Sequence, residues 1–223
     1  MSCSDTAQQK APLDAMIDQL RKEFASGEMP EPATIQKIMG EYIQAGHEDW
    51  RQYALFCPVK YSRNLIEFNE NFELIILCWL AGQESPIHNH SGQNCWMAVL
   101  EGEMQEVYYS FEDGKLTQGS VQRYHPTEVA HITDEKALHK VCPVQGAGCT
   151  LHLYSKPIPL CNLYCPATGT VTKRKLGFFS KRGCQLTDTD ASTACYKELK
   201  QQLCGIDSTC DAKYRLLLNQ IDS

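Results

Sequence analysis

No run in the chain approaches the ~20 consecutive apolar residues of a membrane-spanning helix, and Met1 to Lys10 are polar rather than the apolar stretch of an export signal. Both absences set a cytoplasmic expectation. Basic charge is scarce as well: 21 Lys and Arg stand against 27 Asp and Glu, a formal net of −6. A nucleic-acid surface needs clustered basic side chains, so no nucleic acid, no membrane and a small-molecule partner are expected. There is no Cys-x-x-Cys pair, which argues against a zinc ribbon or a thioredoxin-like redox couple. The 12 cysteines lack regular spacing and are read as reduced thiols rather than a disulfide framework. Cys161 and Cys165 come nearest to a pair and are read as loop thiols, since no second ligand pair with zinc spacing follows. No internal repeat or low-complexity tract is visible.

What is present fits one main domain, because 223 residues with 43% hydrophobic content supply one substantial core but not two. A monomer is expected. Leu13, Met16, Ile17, Leu20 and Phe24 recur at helical spacing, and after Pro30 and Pro32 so do Ile35, Ile38, Met39, Tyr42 and Ile43. Two short amphipathic helices therefore open the protein. From about Tyr61 the pattern turns to short apolar runs, among them Phe72 to Leu80, Cys95 to Leu100 and Cys149 to Tyr154, cut at Gly82, Gly102, Asp113-Gly114 and Gly119. So many short strands favour a closed barrel or jelly roll, in which closure removes the sheet edges. Beyond Leu186, the spacing of Tyr196, Leu199 and Leu203 and of Tyr214, Leu217, Leu218 and Ile221 predicts a helical hairpin, with Asp211 as a cap. The expected organisation is a helical segment over 1–60 packed on the barrel, a catalytic β-barrel over 61–186 and a helical extension over 187–223.

Three patterns bear on chemistry. His88 and His90 stand one residue apart, so on a strand both imidazoles point to the same face, a geometry suited to chelation. Ordinary polar histidines are the commoner reading of such a pair on its own. Thr150, His152 and Tyr154 alternate with Leu151 and Leu153, which puts three polar groups on one face; a solvent-facing strand would look the same. Tyr61 and Arg63 share a face if their segment is extended, and a guanidinium there matches a carboxylate in a bond of about 1.5 to 3 kcal/mol. The bland alternative for Arg63 is a surface salt bridge.

The spacing Gly82, His88, His90, Cys95, Gly102 resembles the first motif of the cupin superfamily, with Cys95 where a glutamate usually stands. His139 is the candidate from the second motif, without the glycine and proline that normally surround it. Together with Arg63 and the Thr150 to Tyr154 strand, these elements resemble cysteine dioxygenase in kind, order and separation, from about Lys60 to Gly183. The resemblance implies a mainly β, cupin-type jelly-roll barrel that oxidises L-cysteine with O2 to cysteine sulfinic acid. It implies one Fe(II) on His88, His90 and His139, and a thioether cross-link between Cys95 and Tyr154 as a protein-derived cofactor. By the same resemblance Arg63 clamps the substrate carboxylate, Tyr61 lines its pocket, and Tyr154 acts beside the metal with His152 and Thr150 behind it. Thr150 stands where the family has serine, Cys161 matches a cysteine near the pocket entrance, and Leu176 stands where some relatives carry methionine.

Lys156 departs from the mammalian-type pattern, which has a proline there after a cis bond; a loop of different shape with a trans bond is expected here. Three imidazoles without a carboxylate favour anionic ligands but do not choose the metal, since catalytic zinc also uses them. Three alternatives stand beside the main reading: a dioxygenase for 3-mercaptopropionate or another small thiol, a non-catalytic metal-binding cupin, and a zinc hydrolase.

Overall fold

Pro12 and Pro32 each open a helix at its first turn, where a missing N–H costs nothing. Helices α1 (Pro12–Glu23) and α2 (Pro32–Gln44) bury the apolar positions anticipated for them. Asp49 ties the two together, accepting the Leu13 N–H at 2.7 Å and the Tyr42 hydroxyl at 2.7 Å. The structure is a computed structural model and describes residues 10–187 together with Ala194. The hairpin expected beyond Leu186 lies outside the described residues.

Thirteen strands follow among the described residues. They are β1 (Ser62–Phe68), β2 (Phe72–Trp79), β3 (Ile87–His88), β4 (Cys95–Glu101), β5 (Met104–Glu112), β6 (Lys115–Tyr124), β7 (Val129–Ile132), β8 (Leu138–Pro143), β9 (Gly148–Ser155), β10 (Leu160–Tyr164), β11 (Val171–Lys175), β12 (Ser180–Lys181) and β13 (Cys184–Gln185). One sheet has the order β13-β12-β1-β2-β9-β4-β7, and the other β11-β10-β3-β8-β5-β6. The two sheets enclose a cavity, in a mainly β arrangement with the two helices outside.

Strand β2 explains how the layers stack. All eight of its residues are buried, although it belongs to an antiparallel sheet that ordinarily shows one face to water. Its Phe72, Leu74, Ile76 and Cys78 face the helices and join Leu151 and Leu153 of β9 in the outer core, while Ile75, Leu77 and Trp79 face inward with Cys95 and Met97 of β4. The helices thus cover one side of this sheet and the barrel interior takes the other. No described helix is long and apolar enough to cross a membrane.

Gly102 is a turn between β4 and β5 with φ of +80°, and a Cβ there would stand 2.7 Å from the Ala147 carbonyl oxygen, so only glycine fits. Gly119, by contrast, is not the strand break that its residue type suggested. It lies inside β6, where the pairing with β5 shifts register between Val107 and Tyr109, and it faces the Tyr108 backbone across that bulge.

Candidate metal centre

His88, His90 and His139 come together in the wall of the cavity, with one ring nitrogen from each lying within 4.8 Å of the others. His88 ends β3 and is directly opposite His139 in β8. His90 already lies beyond the strand, so strand alternation alone does not align the pair as expected. The chain turns at Ser91 and Gly92, both with positive φ, and Asp134 holds this turn by accepting the His90 N–H at 2.6 Å and the Gly92 N–H at 2.7 Å.

The outer nitrogens decide where the inner lone pairs point. Nδ1 of His88 lies 2.9 Å from the Pro86 carbonyl, which only accepts, so the proton sits on Nδ1 and the Nε2 lone pair is left for the centre. Nδ1 of His139 meets Oε1 of Glu106 at 2.5 Å, with the same consequence for its Nε2. The nearest acidic oxygen to the buried Nδ1 of His90 is Oδ1 of Asp134, at 3.5 Å and outside hydrogen-bond geometry. Nε2 of His139 and Nε2 of His90 stand 3.0 Å apart. A proton on Nε2 of His90 would bridge that pair, and with the proton on Nδ1 instead the three rings turn an all-imidazole donor set inward that fits a divalent metal. Burial pushes the pKa values of His88 and His139 well below the usual histidine range, which keeps both rings neutral, as ligation requires.

Glu106 and Asp134 were missed in the sequence. Glu106 is almost wholly buried on β5, and burial raises its carboxyl pKa. Its second oxygen accepts the Tyr108 hydroxyl at 2.6 Å, and Tyr124 lies 3.2 Å further on. For Asp134, burial works to raise the pKa, but the hydrogen bonds from His90 and Gly92 outweigh it and hold the carboxyl below its ordinary range. An acidic residue at an inward-facing strand position was the available signal for Glu106. Asp134 lies in a turn and carried none.

The inward-facing row Thr150, His152 and Tyr154 lies on β9 as the alternation predicted, buried and hydrogen-bonded in series. Nε1–H of Trp79 donates to Oγ1 of Thr150 at 3.0 Å, Oγ1 is 2.9 Å from Nε2 of His152, and Nδ1 of His152 is 3.4 Å from the Tyr154 hydroxyl. Burial lowers the His152 pKa far below its usual range and raises that of Tyr154 far above, leaving a neutral imidazole and a protonated phenol. Cys95 is the register partner of Tyr154 across β4 and β9, and its Sγ lies 3.8 Å from Nδ1 of His152. Burial raises the Cys95 thiol pKa as well.

A cavity of about 690 Å³ opens over these groups, lined by the three histidines, His152, Tyr154, Tyr61, Arg63, Cys161 and Leu176 among others. Thr150 and Cys95 sit behind that lining. The guanidinium of Arg63 is inside, with Nε–H donating to the Gly177 carbonyl at 3.2 Å and Nη2–H to Oε1 of Glu73 at 2.7 Å. The surface salt bridge that was the alternative for Arg63 is excluded. Tyr61 stacks on Trp79 with ring centroids 4.5 Å apart. The peptide bonds are all trans among the described residues; Lys156 has φ of +64° and donates its N–H to the Asn71 carbonyl at 2.6 Å. The loop after Tyr154 therefore has the trans geometry expected of it.

Comparison with known proteins points to one family. The profile of the family described as Cysteine dioxygenase type I matches residues 1–166, starting earlier and stopping sooner than the stretch that resemblance of motifs had marked. Cysteine dioxygenase type 1 of Danio rerio is 34% identical over 178 residues, covering 77% of this chain and 88% of the relative, and that of Homo sapiens is 32% identical over 177 residues with the same coverage. Among solved structures, an RmlC-like cupin protein from Desulfovibrio desulfuricans aligns over 50% of this chain and 97% of its own, at 25% identity and a TM-score of 0.35.

Proposed function

Because the chain belongs to the cysteine dioxygenase type I family, we propose that it oxidises L-cysteine with O2 to cysteine sulfinic acid. His88, His90 and His139 hold the metal, which is Fe(II). The observation that carries this reading is the opening of one cavity onto three converging imidazoles, a guanidinium and a buried phenol. A ferrous ion bound there supplies the redox chemistry that lets a thiolate react with dioxygen. Both oxygen atoms end on sulfur, so the balance needs no external reductant.

The chain's own residues bind and orient. Arg63 takes the substrate carboxylate while Tyr61, held flat on Trp79, closes the side of the pocket. Fixing the carboxylate at one end and the sulfur at the other removes most of the substrate's freedom before reaction. Tyr154 donates a hydrogen bond toward the reacting oxygen or sulfur. Trp79 has only a donor and occupies one lone pair of the Thr150 hydroxyl, which leaves the hydroxyl proton for Nε2 of His152. His152 then carries its proton on Nδ1, facing the phenol oxygen, and the Tyr154 proton is free to point into the cavity. Cys95, opposite Tyr154, is the partner for a thioether that would immobilise the phenol.

Metal content and oxygen uptake on a panel of thiols test this reading. Protein purified without added metal is expected to hold iron and to consume oxygen with cysteine at a higher kcat/KM than with 3-mercaptopropionate or cysteamine. Iron-loaded protein that consumed no oxygen with any thiol would sink the proposal and move the non-catalytic cupin ahead.

A further inference from the structure

Arg63 is already paired inside the protein wall. Glu73 is fully buried and is the one charged residue in the otherwise apolar strand β2, at an inward-facing position opposite Tyr154 of β9. Its Oε1 accepts Nη2–H of Arg63 at 2.7 Å, and its Oε2 accepts the Ile158 N–H at 3.2 Å. Among the described residues lining the cavity Arg63 is present and Glu73 is not, so the carboxylate stands behind the guanidinium, away from the substrate.

We infer that Glu73 is a positioning residue that sets how strongly the site prefers a thiol bearing a carboxylate, by offsetting the charge of Arg63; the inference rests on the thiol dioxygenase reading. In a weakly screened interior, a negative charge next to the guanidinium cancels much of the field that a substrate carboxylate would feel. Orientation is another matter, because it is over-determined. Nε–H of Arg63 is held by the Gly177 carbonyl at 3.2 Å, and the guanidinium carbon lies 5.8 Å from the ring centroid of Tyr154 and 5.6 Å from that of Phe178. A neutral glutamine at position 73 keeps an oxygen for Nη2–H. Removing the charge therefore strengthens the clamp more than loss of alignment weakens it.

The test compares wild type with Glu73→Gln in the iron-loaded protein, by calorimetric binding of cysteine and cysteamine under nitrogen and by oxygen uptake in air. Cysteine is expected to bind about 3- to 10-fold more tightly to Glu73→Gln. Its KM should fall in step with little change in kcat, while cysteamine, which has no carboxylate, keeps its affinity. A merely structural role would weaken both ligands together and lower kcat. Glu73→Asn, also neutral, stands in if Glu73→Gln does not fold, and failure of both to fold would overturn the inference. So would cysteine affinity that is unchanged or weaker, or an equal gain for cysteamine. If wild type takes up no oxygen with cysteine while the binding selectivity still shifts, the dioxygenase reading fails and the role of Glu73 stands.

Discussion

Arg63→Ala removes two things at once, and the structure separates them. It deletes the donor proposed for a substrate carboxylate, and it takes the cation away from a carboxylate in the core, since the pair is 12% exposed at Arg63 and 0% at Glu73. Breaking a buried pair from one side costs about 3–5 kcal/mol, against 0–1 kcal/mol for a surface pair. For a domain of this size that corresponds to a fall in Tm of roughly 6–20 °C. The double variant Arg63→Ala/Glu73→Gln no longer buries an ionised carboxylate without its cation, so we expect it to recover about 2 kcal/mol relative to Arg63→Ala while remaining as weak toward cysteine. Urea denaturation of the four corners of this cycle measures the coupling, and cysteine KM well below the lowest Tm measures the clamp. A loss of less than about 1 kcal/mol for Arg63→Ala, or a double variant no more stable than Arg63→Ala, would refute the reasoning.

Three further outcomes follow from the site. Glu106→Gln keeps an acceptor for His139 but loses its charge, and metal affinity is expected to drop about 10- to 100-fold in a chelator-competition titration with the fold intact; a change under about twofold counts against the role given to Glu106. Metal-free protein should lose stability as pH falls below about 6.5, because unfolded histidines take up protons there while His88, His139 and His152, whose pKa values burial lowers, do not. Each such group gives about 1.4 kcal/mol per pH unit, and equal urea midpoints at pH 7.5 and about 5.5 would contradict it. If the thioether forms, the iron-loaded protein after turnover is lighter by two hydrogen atoms than its sequence, and Cys95→Ser is not; an unaltered wild-type mass argues that the cross-link is absent.

Much of the site was legible because its pieces are local. The alternation of Thr150, His152 and Tyr154 with two leucines predicted a polar row on one face, and β9 carries that row inward with both leucines against the helices. The apolar spacing of α1 and α2 named their buried faces. Gly119 misled because glycine marks both a turn and a bulge, and only the partner strand tells which. The residues behind the site escaped notice for a related reason. Glu106 lies 33 positions from His139, and Glu73 lies 10 from Arg63, in segments that otherwise read as core.

The amino-acid order alone determined the two helices, the longer apolar strands, and which side chains within those strands share a face, since these follow from periods of 3.6 and 2 that a few consecutive residues express. Which strands lie side by side was decided only by closure of the barrel. Pairing β3 with β8 brings His88 opposite His139, and pairing β2 with β9 sets Glu73 beside Tyr154. Bonding reach between imidazoles from distant segments, and the charge balance of a guanidinium in the wall, depend on distances of a few ångströms that no local pattern encodes.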